Sequence, residues 1–206
     1  EYQVKTAHGT LFCRREGSGP LLLLIHGVAC DSEFFREASA ILSKKFTVIS
    51  YDRRGYSRSI PAEGETDFSV WAHADDAAEI IGAELKRKHE EEICLEESEP
   101  QMNGAEEQSK VKDGQNIGFF VAGCSAGGAV TAALATKYPE LVRQVFLHEP
   151  LMRGSGELAA EQDAFWEKLH KSAEKHRIIT CMMHFVNAMG GMNRDKEGQS
   201  MEQQSR

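Results

Sequence analysis

The stretch Val121–Val130, "VAGCSAGGAV", places a serine between glycines, after an apolar run and before an alanine-rich one. The preceding run, "IGFFVAG", is typical of a buried strand, and "AGGAVTAALATKYPE" is typical of a helix. A chain that turns sharply from strand into helix needs small residues two positions before and after the turn, so that the backbone can pass. Gly123 and Gly127 meet that need around Ser125 and predict a G-x-S-x-G nucleophile elbow.

Strand and helix patterns alternate along the chain before and after this turn. Apolar runs predict buried strands in "LLLLIHG" (Leu21–Gly27), in "FTVISYD" and in the run before the elbow, while "VRQVFLH" fits a fourth strand and "TLFCRREG" an edge strand. The alternation of strands and helices implies an α/β fold, with a mostly parallel sheet covered by helices on both faces.

Two further helices are predicted from caps and helical spacing. Asp31 or Ser32 can cap the first and Ser69 the second. Their apolar stripes are Phe34, Phe35, Ala38, Ile41 and Leu42 in the first helix, and Val70, Trp71, Ala74, Ala77, Ala78, Ile81 and Leu85 in the second.

The acidic charge is concentrated in one segment, from His89 to Asp113. Nine acids against Lys110 and Lys112 give this segment a net charge of -7, and the whole chain carries -8. The segment is polar, has no aromatic residue and contains proline and glycine, so it cannot bury enough apolar surface to offset its ordering entropy. We expect a mobile surface insertion; a partner-binding acidic loop is the alternative.

Length and composition limit the function classes. The 206 residues suit one domain, or most of a larger one, and no apolar run approaches the roughly 18 residues of a membrane span. A negative net charge argues against nucleic-acid binding. Five scattered cysteines without a CxxC pair argue against a disulfide framework or a zinc site, and they favour the cytoplasm. No phosphate loop or H-E-x-x-H pair occurs, so no metal or cofactor is expected.

Three motifs in order carry a resemblance to a known superfamily. His26 and Gly27 close a central strand, "DRRGYSRS" follows the next strand from Asp52 onward, and the elbow follows a third. Together they resemble the α/β-hydrolase superfamily. "DRRG", the "GGA" helix start and "HEP" at His148–Pro150 are similar to its esterase and cofactor-free haloperoxidase-like branch. The likeness covers about residues 5 to 195, with Ser57 where a glycine is common in the "DRRG" loop.

The resemblance implies roles for particular residues. Ser125 would be the nucleophile, and the backbone N–H groups of Val28 and Ala126 would form the oxyanion hole. His26 would support the loop through hydrogen bonds of its ring, beside Gly27, rather than act as a base. Asp52 and Arg53 would similarly anchor their loop.

The acid and the base of a catalytic triad are not fixed by the sequence. Glu149 stands where some members of the superfamily carry the acid, but a charged cap at a strand end fits equally well. No Gly-His stretch follows the elbow, so we expect the catalytic set and the C-terminal strands to be incomplete within these residues. The weaker candidates that follow Ser125 are His148, His170, His176 and His184 for the base, and Asp163 and Asp195 for the acid.

The expected organisation is a core over 1–150, a helical cap segment over 151–192 and a polar tail over 193–206. Met182, Met189 and Met192 in the cap could line an acyl pocket or simply pack against the core.

The expected function is a serine hydrolase that cleaves a small carboxylic ester or related acyl compound through an acyl-enzyme. A perhydrolase or haloperoxidase-like activity on the same serine is one alternative, and a non-catalytic, truncated fold that serves as a binding module is the other. Halide displacement is less expected, because the elbow nucleophile is then a carboxylate. The expected partner is a small-molecule ester or acyl substrate, with a possible homo-oligomer.

Overall fold

The computed structural model describes residues 1–98 and 118–152, together with residues 160, 163, 164 and 167. Residue contacts divide the chain into two units, Glu1–Met152 and Arg153–Arg206. The four isolated residues are helical and belong to the second unit. The predicted cap helices with their methionines and the polar tail lie almost entirely outside the described residues, so that organisation stays a prediction.

The first unit is built on a seven-stranded sheet in the order β1-β2-β4-β3-β6-β7, with β5 paired to β2. Neighbours among β3, β4, β6 and β7 pair in parallel, while β1, β2 and β5 pair antiparallel. The strands are β1 (Tyr2–Thr6), β2 (Gly9–Glu16), β3 (Leu21–Ile25), β4 (Thr47–Tyr51), β5 (Ile60–Pro61), β6 (Phe119–Cys124) and β7 (Val142–His148). The predicted fold class, a mostly parallel α/β sheet, is confirmed.

Helices join the parallel strands, and two of them begin at the predicted caps. The Asp31 side chain accepts a hydrogen bond from the Glu33 N–H (2.9 Å), and Ser69 Oγ accepts one from the Ala72 N–H (3.2 Å). The helices are a 3-10 turn (Ser32–Phe35), α1 (Arg36–Leu42), α2 (Val70–Ser98), α3 (Ala126–Lys137) and a second 3-10 turn (Pro139–Leu141).

Strands β3 and β4 are buried over their whole length. Both faces of the sheet are therefore covered by apolar residues. On one side Leu23 and Val121 pack with Ile81 of α2 and Val130 of α3. On the other side lie Leu22, Leu24 and Val48, with Phe35, Leu42, Phe46 and Phe120 packed against them. The predicted helices on both faces are therefore present.

Two sequence-based assignments at the periphery were wrong. Strand β2 lies inside the sheet, because the unpredicted strand β1 pairs along it and forms the edge. The stripe of the first helix is buried only in part, since Phe34 is 62% exposed and Ile41 is 67% exposed. In the second stripe Val70 and Trp71 are exposed, whereas its alanines and Ile81 face the core.

The first part of the acidic segment is helical, and not irregular as expected. Helix α2 continues to Ser98, so the first ten residues of the expected loop are helical. The sequence there is rich in Glu, which is a good helix former, and it has no glycine or proline before Pro100. Arg15 of β2 also bonds Glu84 and Glu91 of this helix, at 3.1 and 3.2 Å. Residues 99–113 of the segment lie outside the described residues.

Substituting Gly127 and Gly82 by alanine tests the contact between α3 and β3. A methyl group at Gly127 would collide with the carbonyl oxygens of Ile25 and His26, whereas one at Gly82 in α2 meets nothing within 4 Å. We expect Gly127→Ala to lower the free energy of unfolding by about 2 kcal/mol through overpacking. Gly82→Ala, the matched control, should raise it by up to about 1 kcal/mol through helix propensity. Urea titration of both variants measures the difference, and equal effects would contradict the close approach.

Candidate active site

Ser125 occupies the sharp turn between β6 and α3. Its backbone has φ 52° and ψ −123°, which places a non-glycine residue at positive φ. Its N–H donates to the His148 carbonyl (3.0 Å), and its own carbonyl accepts from the N–H groups of Gly128 (3.0 Å) and Leu151 (2.8 Å). These backbone hydrogen bonds hold an unfavourable conformation in place, as is common at functional turns.

The glycines at both ends of the elbow are there because backbone passes close to them. A methyl group at Gly123 would collide with the Gly127 carbonyl and the Thr131 hydroxyl. One at Gly127 would collide with the end of β3. The spacing that identifies the motif thus corresponds to two steric constraints on one turn.

The turn after β3 lies directly against the nucleophile candidate. A methyl group at Gly27 would sit 3.1 Å from Ser125 Cβ and 3.6 Å from Ser125 Oγ. Helix α3 begins at Ala126, whose N–H belongs to the first helical turn, where donors have no intrahelical partner. Val28 and Ala126 both line one cavity of about 740 Å³. The residues of the two expected oxyanion donors therefore border the same cavity.

His26 is fixed through both ring nitrogens. Nδ1 bonds the Gly27 carbonyl (2.8 Å), and Nε2 accepts from the Arg53 N–H (2.9 Å), so the proton resides on Nδ1. Burial lowers the pKa of His26 to about 4, although the bond to Gly27 opposes this shift. The ring is neutral at pH 7 and has no nitrogen left for a substrate.

The peptide group between Gly27 and Val28 is oriented by two donors. Its carbonyl accepts from His26 Nδ1 and from Arg53 Nη2 at 2.9 Å. In a trans peptide the N–H points opposite to the carbonyl, and no cis bond occurs in the described chain. Two donors on the oxygen also polarise the group, which strengthens the Val28 N–H as a hydrogen-bond donor.

Asp52 anchors the loop after β4, but its ionic partner is Arg58. The carboxylate accepts from Arg58 Nε (2.7 Å), from the Arg58 N–H (3.1 Å) and from the Ser32 N–H (2.9 Å). Burial raises the pKa of Asp52, but the hydrogen bonds from Arg58 and Ser32 outweigh burial and bring it to about 2. The predicted anchoring role of Asp52 thus has a geometric basis; Arg53 instead bonds the Gly27 carbonyl.

A second ion pair joins this loop to α2, and the sequence did not point to it. Arg54 is fully buried, with its Nε 2.9 Å from Asp76 Oδ2 and its Nη1 3.0 Å from Glu65 Oε2. Two carboxylates around one buried guanidinium satisfy the pairing that a buried charge needs.

The cavity beside the oxyanion donors is lined by residues of the loop after β4 and by the start of α2. Among them are Arg53, Tyr56, Phe68 and His73. His73 is buried and its Nδ1 lies 3.7 Å from Asp76 Oδ2. Sequence reasoning missed His73 because it stands in the first turns of a predicted helix, where no motif distinguishes it.

Of the candidate acid and base residues, Glu149 and His148 lie in the described part of the first unit. Glu149 follows β7 at φ 44° and is exposed, as is the His148 side chain. Among the hydrogen bonds of residues 1–98 and 118–152, none joins a histidine ring to Ser125 Oγ. Asp163 is helical and exposed, and His170, His176, His184 and Asp195 lie outside the described residues.

Metal-binding and membrane-spanning features are absent from the part of the chain that the structure describes. No group of three or more His, Cys, Asp or Glu side chains that could hold a metal ion occurs among those residues. Cys13, Cys30 and Cys124 are free thiols. None of the described helices is both long enough and apolar enough to cross a bilayer.

Comparison with known proteins agrees with this fold. A model of the α/β-hydrolase fold family matches residues 20–89. The uncharacterized hydrolase YraK of Bacillus subtilis is 31% identical over 170 residues, which cover 81% of this chain and 51% of that protein. The 2-(acetamidomethylene)succinate hydrolase of Mesorhizobium japonicum is 32% identical over 136 residues, or 66% and 37% of the two chains.

A solved structure gives the same result. The crystal structure of E-2-(acetamidomethylene)succinate hydrolase superposes with a TM-score of 0.51 at 29% identity, over 70% of this chain and 42% of that one. Fold, motifs and relatives together define a hydrolase-type α/β protein. The chain belongs to the α/β-hydrolase superfamily, and it spans about half or less of the length of these two curated relatives.

Replacing His26 tests its neutral, buried state through pH. The unfolded histidine has a pKa near 6.5 and the folded one about 4, so the unfolded state gains a proton first as pH falls. We expect the free energy of unfolding to drop by about 3 kcal/mol between pH 6.5 and 4. His26→Gln should remove this dependence, whereas His148→Gln, at an exposed site, should keep it. Urea unfolding at a series of pH values measures it, and identical profiles for wild type and His26→Gln would refute the assignment.

Proposed function

We propose that this chain carries the nucleophile and oxyanion hole of a serine hydrolase that acts on a small carboxylic ester or related acyl compound. The observation that carries the proposal is the elbow geometry of Ser125 at positive φ, with Gly27 packed against its side chain. Such a turn exposes the hydroxyl at the end of the sheet, beside two backbone N–H donors.

The proposed reaction has two halves. Ser125 Oγ attacks the carbonyl carbon while its proton passes to a base, and the carbonyl oxygen becomes an oxyanion. The N–H groups of Val28 and Ala126 stabilise that charge, and the dipole of α3 favours it. Collapse expels the alcohol, which takes the proton, and leaves an ester on Ser125. Water then attacks the acyl group, and the acid is released as Ser125 regains its proton.

The relatives support hydrolysis, and the whole protein's activity remains part of the proposal. One is named an uncharacterized hydrolase and another a 2-(acetamidomethylene)succinate hydrolase, so hydrolysis is the activity that the two names share. The proposal assigns neither the base nor the acid. A perhydrolase activity on the same serine would be recognised by peracid formation from acetate and peroxide.

A non-catalytic binding module is the second candidate. It is favoured by one observation: within the described residues, no histidine ring bonds Ser125 Oγ. A fold that keeps the elbow without a base would still present the cavity and its donors to a ligand.

Fluorophosphonate labelling separates the two candidates. The probe reacts with an activated serine, and mass spectrometry locates the adduct. We expect an adduct on Ser125 in the wild type and none in Ser125→Ala, because only that hydroxyl lies at the elbow. Cys124→Ala, which removes the neighbouring thiol, should label like the wild type. Ester turnover should fall by roughly 10³-fold or more in Ser125→Ala.

The contrary result has a definite meaning. A folded wild-type chain that neither labels at Ser125 nor hydrolyses short p-nitrophenyl esters would sink the hydrolase proposal for this chain and favour the binding module. Labelling at another residue would show that Ser125 is not the activated nucleophile.

A further inference from the structure

Three arginines in the loop after β4 are held in different ways. Arg54 pairs with Asp76 at 2.9 Å, and Arg58 pairs with Asp52 at 2.7 Å. Among the described residues, no carboxylate contacts the guanidinium of Arg53. Since buried cations are normally neutralised by acids, this one is left with an unbalanced charge.

Arg53 is nevertheless fixed in position. Arg53 is only 3% exposed, and its Nη2 donates a hydrogen bond to the Gly27 carbonyl at 2.9 Å. The guanidinium carbon lies 4.4 Å from the centre of the Tyr56 ring. Its Nε is buried without an acceptor. The cation is thus preorganised, and its Nε–H is a donor that no described protein group accepts.

The cavity that Arg53 lines is suited to an anion. Arg53, Arg54 and His73 contribute to its walls, and no Asp or Glu does so among the described residues. Val28 and Ala126, the proposed oxyanion donors, line the same cavity. A guanidinium offers a planar fork of donors that matches a carboxylate, and low solvent exposure strengthens that interaction.

We propose that Arg53 binds a free carboxylate of the substrate, so that the acyl compound is a half-ester or similar monoacyl derivative of a short dicarboxylic acid. The inference rests on the proposed function for the reacting acyl group, but the carboxylate site itself does not require turnover. Arg53 would determine specificity through charge, while its bond to Gly27 orients the peptide of the oxyanion hole.

Binding of succinate and glutarate, compared with neutral succinamide, tests the site without catalysis. We expect saturable binding of a dicarboxylate to the wild type by calorimetry or ligand-observed NMR, and at least about tenfold weaker binding of succinamide. Arg53→Gln should weaken dicarboxylate binding at least about tenfold, with partial retention in Arg53→Lys. Arg143→Gln, the same charge change at an exposed residue of β7 that lies against Phe120, should bind like the wild type.

Several outcomes overturn the site. The site is refuted if succinate and glutarate both fail to bind at concentrations up to about 50 mM. It is also refuted if succinamide binds as tightly as the dicarboxylates, or if a folded Arg53→Gln binds them as the wild type does. If Arg53→Gln does not fold, as judged by circular dichroism, Arg53→Lys and the comparison of charged with neutral ligands on the wild type still decide.

Turnover separates recognition from damage to the oxyanion hole. Monomethyl succinate carries the free carboxylate and dimethyl succinate does not, so the ratio of their kcat/KM values reports its recognition. We expect Arg53→Gln to lower that ratio at least about tenfold, whereas a displaced Gly27 peptide would slow both esters alike and leave the ratio unchanged. If the chain binds dicarboxylates but neither turns over the esters nor labels at Ser125, the proposed hydrolase function is refuted while the proposed carboxylate site is supported.

Discussion

The approach of α3 to the end of β3 is the constraint on which the site depends. Gly127 passes so close to the Ile25 and His26 carbonyls that no side chain fits between them. This contact sets where α3 begins, and with it the position of Ser125 beside Gly27. The cost of a positive φ at Ser125, of order 1–3 kcal/mol, is offset by the surrounding backbone hydrogen bonds and by the close packing of α3 against β3.

Polar groups buried near this contact form a connected set. His26 Nε2 accepts a hydrogen bond from the Arg53 N–H. His26 Nδ1 and Arg53 Nη2 both form hydrogen bonds with the Gly27 carbonyl. The Asp52 carboxylate joins the same loop to the start of the first 3-10 turn through Ser32. The turn after β3 and the loop after β4 are therefore tied to one another, so the Val28 N–H is oriented before any ligand arrives. Preorganised dipoles of this kind need no rearrangement when charge develops on a substrate.

The sequence predicted the fold wherever local pattern and burial agree. The apolar runs of β3, β4 and β6 identify strands because strands of a covered parallel sheet are apolar throughout. The elbow is predictable because its glycines answer a local steric demand. Strand β1 escaped notice because one short polar-apolar segment is weak evidence without its partner. The length of α2 was missed because a strongly acidic composition outweighed the helix propensity of the same residues.

The polar part of the site was harder to predict, because partners far apart in sequence decide it. Arg53 and Arg54 are adjacent and chemically alike, yet Arg54 lies between Asp76 and Glu65 while Arg53 lies over Tyr56. No local pattern separates the two.

Net charge is equally uninformative about the site. Of the chain's total of -8, the segment from His89 to Asp113 accounts for -7, so the remaining residues sum to only -1. Charges exposed to water interact weakly beyond the Debye length, which is about 8 Å at physiological ionic strength. A buried guanidinium within a few ångströms of a ligand is screened far less. A negative net charge is therefore no obstacle to the anion site proposed at Arg53.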